Sequence, residues 1–133
     1  MKHESIVVVY DSCQAIAEEI ADKLGAETVS VQSINSRQVE NSRSFVLAVE
    51  CQDNGHLTPH WQYASQTLLC SSLSGKNFAV FVALGNSQEI RSEMDALCNG
   101  LRQSGGHVVG DQPYKSSPEW NADNWVCSIS PNL

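Results

Sequence analysis

Residues Ser5–Leu24, SIVVVYDSCQAIAEEIADKL, decide the fold of this chain. The unbroken apolar run Ile6–Tyr10 predicts a strand that is buried on both faces, as in a parallel sheet covered by helices. Apolar residues at helical spacing follow it and end at Gly25, the expected C′ glycine, while Asp11 or Ser12 is the predicted N-cap. A strand, a turn and a helix in this order open an α/β domain, and they direct a helix N-terminus towards the usual ligand crevice.

The rest of the chain continues this alternation of strands and helices. Further strands are predicted at Glu27–Ile34 (an edge strand), Phe45–Val49, Asn77–Leu84 and His107–Val109. A short helical turn is predicted within Asn35–Ser44 and a polar loop at Glu50–Leu57. Longer helices are predicted from the N-cap Thr58 and Pro59 onward, from a capping box at Asn86 and Glu89 through Ile90 and Leu101 to the closing Gly105-Gly106, and from Ser117-Pro118 to about Ile129. This order predicts a three-layer, doubly wound parallel sheet with right-handed crossovers, in a single domain covering residues 1–133.

Composition excludes several classes of protein. The formal charge of −7 argues against nucleic-acid binding, which needs a basic surface. It suits a protein partner with a basic surface, although solubility is the more common reason for such a charge. No apolar run approaches the roughly 18 residues of a membrane helix, and Met1–Glu4 leads into a strand rather than a signal sequence, so a cytoplasmic location is expected. The five cysteines are an odd number without a CxxC pair, which favours reduced thiols over a disulfide framework.

The chain as a whole resembles flavodoxins, the small acidic electron carriers that bind flavin mononucleotide (FMN). The resemblance is carried by Leu57–Trp61, Ser74–Lys76, Leu84–Asn86 and Gly25–Ile34, and by Gln103–Gly110, which is most similar to the long-chain type. It covers nearly the full length. It implies a five-stranded sheet of order 2-1-3-4-5, with FMN in a crevice at the carboxyl ends of the strands.

The loops that would contact FMN depart from the flavodoxin pattern. Flavodoxins carry a Ser/Thr-x-Thr-Gly-x-Thr loop that holds the phosphate, but Tyr10–Ala15 is several residues shorter, lacks glycine and has one hydroxyl. The loops after the third and fourth strands hold no aromatic side chain for the flavin ring. The resemblance places the candidate cofactor-binding residues at Asp11, Ser12, Cys13, Gln14, Gln52, Asp53, Asn54, Gly55, Gly85, Asn86 and Ser87. Because all three loops differ, we predict that FMN is absent or weakly bound.

Other side chains near the predicted strand ends suggest further hypotheses. Cys13 and Cys51 would follow neighbouring strands and could form a redox pair, the alternative being two inert thiols. His56 and His60, with Asp53 or Cys51, could bind a metal ion, although the spacing matches no strong metal motif.

Two more arrangements are open from the sequence. Cys51 and His56 could form a nucleophilic pair by residue type alone. Asp11 and Glu50 could form a carboxylate pair, but solvated loop acids are the expected alternative. The tryptophans Trp61, Trp120 and Trp125 are expected to pack in the core or at its rim.

The sequence thus supports two main functional predictions. The first is a flavodoxin-like binding or accessory module that has lost conventional FMN binding. The second is an FMN-dependent electron carrier with a rearranged or weak flavin site. An enzymatic function based on the cysteines and histidines has the least support, since a fold by itself does not specify chemistry.

Overall fold

The computed structural model describes residues 6–34, 36–51, 56–69, 73–84, 90–109 and 121–133. Strands and helices alternate in the order β1 (Ile6–Tyr10), α1 (Gln14–Leu24), β2 (Glu27–Ser30), α2 (Ser36–Asn41), β3 (Ser44–Glu50), α3 (Pro59–Leu69), β4 (Asn77–Leu84), α4 (Ile90–Gln103), β5 (His107–Val108) and α5 (Ala122–Ile129). A short 3-10 helix, Ser130–Asn132, follows α5.

The five strands form one parallel sheet in the order β2-β1-β3-β4-β5. Val8 of β1 lies opposite Thr28 of β2 and Val46 of β3, and Val46 lies opposite Ala79 of β4. Every residue of β3 is buried, as its apolar run predicts for a central strand covered on both faces. The predicted fold class and strand order are therefore confirmed.

Helices cover both faces of the sheet. Along β3, Phe45, Leu47 and Val49 point to one face and Val46 and Ala48 to the other, because successive side chains of a strand alternate. The first face packs against α2, α3 and α4 through Val39, Trp61, Ala64, Met94, Leu97, Cys98 and Leu101. The second face packs against α1 and α5 through Ile16, Ala17, Ile20, Ala21, Leu24, Trp125, Val126 and Ile129.

The edge strand is shorter than the sequence predicts. A strand over Glu27–Ile34 is wrong, because β2 ends at Ser30 and residues 31–33 form a turn. The N–H of Ser33 donates to the carbonyl of Ser30 at 2.9 Å, which closes this turn and draws the chain away from β1. The short helical turn predicted between the second and third strands is present as α2.

The third strand is longer than predicted. Glu50 belongs to β3 and not to a polar loop, and Cys51 then forms an antiparallel bridge with Leu57. This bridge brings residue 57 next to the end of β3, so the carbonyl of Glu50 can accept a hydrogen bond from the N–H of Thr58 at 3.1 Å. The end of β3 is thus joined directly to the start of α3.

The first helix begins without the predicted cap. Neither Asp11 nor Ser12 is the N-cap residue, because Cys13 occupies that position and makes no side-chain capping bond. Gly25 is confirmed as the C′ glycine. Its φ of 67° lies in the left-handed region that glycine adopts without steric cost, and it follows the last turn of α1.

The last helix begins later than predicted. Asn121 is its N-cap, with an extended backbone (φ −141°, ψ 129°) and a side chain that accepts from the N–H of Asn124 at 3.2 Å. The predicted end at about Ile129 is confirmed, but the prediction that the helix runs through Asn121 is wrong. The predicted start at Ser117-Pro118 lies outside the described residues.

Helix length bears on membrane insertion. Within the described ranges the longest helix, α4, has 14 residues, and no helix there is both long enough and apolar enough to cross a bilayer.

Candidate functional site

The carboxyl ends of β1 and β3 meet because these strands are parallel neighbours in the centre of the sheet. The turn between β1 and α1, residues 11–13 (the β1–α1 turn), therefore lies beside the end of β3 and the start of α3. Four of the candidate residues, Asp11, Ser12, Cys13 and Gln14, lie in this turn or in the first turn of α1.

The centre of this region is the carboxylate of Glu50. Its Oε2 accepts from the backbone N–H of Ser12 at 2.6 Å and of Cys13 at 3.1 Å, and its Oε1 accepts from the Ser12 hydroxyl at 2.5 Å. Glu50 is only 1% exposed. A buried carboxylate is tolerated where hydrogen-bond donors satisfy it, and this one also benefits from the positive end of the α1 dipole. The side chain thus binds the turn that leads into α1, from a position 38 residues away in sequence.

A second carboxylate, that of Asp11, makes the corresponding contacts with the start of α3. Asp11 leaves the β1–α1 turn and accepts from the Thr58 hydroxyl at 3.0 Å, while its other oxygen lies 3.0 Å from Nδ1 of His60. The side chain of Asp11 is 10% exposed. Thr58 precedes α3 and His60 lies in its first turn, so each of these two helix N-termini receives a carboxylate from the other segment. The interpretation of Asp11 and Glu50 as solvated loop acids is wrong, because both are satisfied within the protein.

The two remaining described candidates, Cys13 in the turn and Gln14 at the start of α1, have different surroundings. Gln14 is exposed and its amide donates to Glu18 one turn along α1 at 3.0 Å, away from the Glu50 carboxylate. Cys13 is half-buried against the α1 and α5 side of the sheet, with its Sγ 4.0 Å from the carbonyl of Ala83. The other candidates, Gln52, Asp53, Asn54, Gly55, Gly85, Asn86 and Ser87, lie outside the described residues.

The proposed redox pair does not form. Cys51 packs into the cluster on the α3 and α4 side of the sheet, whereas Cys13 packs on the opposite side. Burial, with a smaller contribution from the negative charge of Glu93, raises the pKa of Cys51 to about 11. Cys51 is therefore an inert buried thiol at neutral pH.

The two histidines contact different carboxylates, and Asp53 lies outside the described residues. Nδ1 of His56 lies 2.5 Å from Oε1 of Glu93 on α4, whereas His60 contacts Asp11. Among the residues that the structure describes, no group of three or more histidine, cysteine, aspartate or glutamate side chains could hold a metal ion. Pairing of Cys51 with His56 as a nucleophile also lacks support, because the buried thiol keeps its proton and His56 contacts Glu93.

Two of the three tryptophans are core residues, as predicted. Trp61 is fully buried, and Trp125 packs against Phe81 with ring centroids 4.9 Å apart. Trp120 lies outside the described residues.

Sequence reasoning missed the role of Glu50 and its bond to the β1–α1 turn. One signal was present: Glu50 continues the alternation of Val46 and Ala48, whose side chains face the α1 side of the sheet. A glutamate in that register at the end of β3 is directed at the start of α1. A hydrogen-bond acceptor from a distant strand could have been expected there.

The donors in the β1–α1 turn bear on the phosphate site that the flavodoxin resemblance implies. Backbone N–H groups and a hydroxyl at a helix N-terminus are the groups that bind phosphate. Here the two N–H groups of Ser12 and Cys13 and the Ser12 hydroxyl already bind Glu50. In this arrangement the donor set does not fit a second anion.

Comparisons with known proteins support the fold. No protein-family model matches the sequence, and no curated protein matches it in a sequence search. Among solved structures, oxidised flavodoxin 2 from Bacillus cereus has a TM-score of 0.80 at 17% identity, covering 97% of this chain and 99% of that one. The flavodoxin of Megasphaera elsdenii has a TM-score of 0.74 at 19% identity, covering 96% and 99%. A Fusobacterium nucleatum flavodoxin bound to FMN has a TM-score of 0.75 at 17% identity, covering 96% and 98%.

These similarities extend over almost the whole of each chain, at identities that establish the fold and not the ligand. The flavodoxin resemblance inferred from sequence is confirmed at the level of structure, while the assignment to the long-chain type stays a prediction. Taken with the strand order β2-β1-β3-β4-β5, the comparisons show that this chain has the flavodoxin-like fold.

Proposed function

We propose that this chain is a flavodoxin-fold binding or accessory module that does not hold FMN in the conventional way. The observation that carries the proposal is the bond between the Glu50 carboxylate and the β1–α1 turn. A phosphate that approached this turn would find its hydrogen-bond donors engaged and a negative charge in its place.

Displacing Glu50 is costly. The carboxylate would leave three hydrogen bonds, and unless it reached solvent it would be buried without partners. Removing one partner of a buried charge in this way costs about 3–5 kcal/mol. Leaving Glu50 in place costs on the order of 1–4 kcal/mol in repulsion between like charges at a few ångströms. Either cost is a large part of the roughly 8–12 kcal/mol that micromolar to nanomolar binding requires.

The charge of the protein supports a role in partner contact. The formal net charge is −7, and the exposed face of α1 carries Glu18, Glu19 and Asp22. Long-range electrostatic attraction between this acidic surface and a basic surface on a partner speeds their encounter, and the attraction weakens as salt is added. We therefore expect the partner to be a protein with a basic docking surface.

The test is flavin binding by the purified chain. We expect a colourless protein that does not quench the fluorescence of added FMN, measured beside the Fusobacterium nucleatum flavodoxin as a protein solved with FMN. A yellow protein, or saturable quenching comparable to that of the control, would refute the proposal.

A second candidate function is FMN-dependent electron transfer through a rearranged flavin site. The fold favours it, because solved structures similar to this chain include flavodoxins, among them a Fusobacterium nucleatum flavodoxin bound to FMN. Under this alternative FMN would bind without the donors of the β1–α1 turn. Weak but saturable quenching, together with a reversible flavin reduction in the visible spectrum, would favour the second candidate over the first.

A further inference from the structure

We infer that Glu50 is the built-in occupant of the anion site at the N-terminus of α1, so that this one side chain determines whether the turn accepts a phosphate. The inference rests on the proposed function and deepens it. It names the residue that would have to be removed for anion binding to appear.

The donors converge on a single acceptor group. One oxygen of the carboxylate accepts both backbone N–H groups, from Ser12 at 2.6 Å and Cys13 at 3.1 Å, and the other accepts the Ser12 hydroxyl at 2.5 Å. Phosphate and sulfate present oxygen acceptors with the same charge sign to the same kind of donors. The turn therefore has the chemistry of an anion site, and Glu50 supplies the anion.

The acceptor is held by the sheet and not by the turn itself. Glu50 ends β3, pairs with Leu84 in the register of β4, and its carbonyl accepts from Thr58. Because its backbone is fixed on two sides, the side chain cannot leave with a movement of the β1–α1 turn alone. Removal of the carboxylate should thus free the donors and leave the strand end in place.

Two substitutions separate occupancy from charge. Glu50→Ala removes the acceptor and frees all three donors. Glu50→Gln removes the charge but keeps the shape, since its carbonyl oxygen can accept the two N–H groups while its amide donates to the Ser12 hydroxyl. If occupancy decides, only the alanine variant should bind anions.

The experiment is an amide NMR titration with inorganic phosphate at constant ionic strength, repeated with sulfate. We expect saturable shifts of the Ser12 and Cys13 amide signals in E50A, with an apparent affinity about tenfold or more above any response of the native chain or E50Q. An E50A variant that is folded by circular dichroism and shows no such shifts would overturn the inference. So would native protein that responds to phosphate as strongly as E50A.

A second variant guards against failure to fold. Glu50→Ser keeps only Cβ of the glutamate side chain, so its hydroxyl ends well short of the carboxylate position, and it is expected to behave as E50A does. If neither variant folds, the native chain provides the test. Ser12 and Cys13 amide protons that resonate at low field and do not shift when phosphate is added support the inference, and phosphate-dependent shifts refute it.

The outcome is distinct from that of the flavin test. If the native chain does not bind FMN and the E50A variant does not bind phosphate, the proposed function is supported and the inference about Glu50 is refuted. If the native chain binds FMN and only E50A binds phosphate at Ser12 and Cys13, the proposed function is refuted and the inference about Glu50 is supported.

Discussion

Substitution of Glu50 by alanine should destabilise the protein by about 3 kcal/mol. The magnitude follows from three hydrogen bonds to the carboxylate, each worth roughly 1 kcal/mol when the freed donors in a partly exposed turn can be rehydrated. For a chain of this length that loss corresponds to a fall in Tm of about 10 °C. Glu50→Gln keeps the hydrogen bonds and loses only the charge, so we expect a smaller loss of about 1 kcal/mol.

Urea unfolding followed by tryptophan fluorescence measures these differences, because Trp61 and Trp125 are buried in the native state. A double-mutant cycle supplies the control. Ser12→Ala should cost about 1 kcal/mol in the native background and almost nothing in the E50A background, since the hydroxyl has then lost its partner. An E50A variant within about 0.5 kcal/mol of the native protein would refute the reasoning, because surface substitutions fall in that range.

Three further predictions concern the buried thiols and a helix cap. Burial is the main cause that raises the pKa of Cys51 and of Cys98 to about 11, so an alkylating agent at pH 8 should modify both far more slowly than the exposed Cys127, as peptide mass spectrometry would show. Because an unfolded thiol has a pKa near 9.0, the unfolded chain releases its thiol protons at a lower pH than the native protein does. The free energy of unfolding should therefore fall between pH 9 and about 11, by about 2–3 kcal/mol per thiol. Cys98→Ala should reduce this fall, as measured by urea unfolding. Asn121→Ala should cost about 1 kcal/mol in thermal unfolding, with Asn121→Asp close to native, and equal losses in both variants would contradict the capping role.

The sequence predicted most of the fold because its signals are local. The apolar run of β1 and the buried residues of β3 require helices on both faces, and Gly25 marks the end of α1 without reference to any distant residue. The error at β2 has a local cause as well: Val31 continues the alternating pattern but lies in a turn, with its N–H bonded to the carbonyl of Tyr10 at 2.6 Å. Apolar alternation does not separate a strand from the buried turn that ends it.

The site was harder to predict, because its key contact joins residues that are far apart in sequence. Ser12 and Glu50 are 38 positions apart, and Asp11 and His60 are 49 apart. Taken alone, each of these residues is of a type that is common in solvated loops or at the start of a helix. The pairing of β1 with β3 brings the two carboxylates to the starts of α1 and α3. The alternation along β3 indicates only which face Glu50 points to, and it identifies a partner for Glu50 only once that pairing is known.

The exchange of carboxylates has a consequence for the crevice. Glu50 accepts from the N–H groups of Ser12 and Cys13 just before α1, and Asp11 contacts the Thr58 hydroxyl and His60 at the start of α3. Two positions where the flavodoxin-like fold offers positive dipole ends are thereby neutralised from within. A ligand of this crevice, if it uses these positions, has to compete with the protein's own side chains.

The measurement that tests this account most directly is a crystal structure of the native chain grown with excess FMN. We predict that the Glu50 carboxylate accepts hydrogen bonds from the N–H groups of Ser12 and Cys13, with no phosphate on this turn. An FMN phosphate bound to those two N–H groups, with Glu50 turned away, would contradict the account.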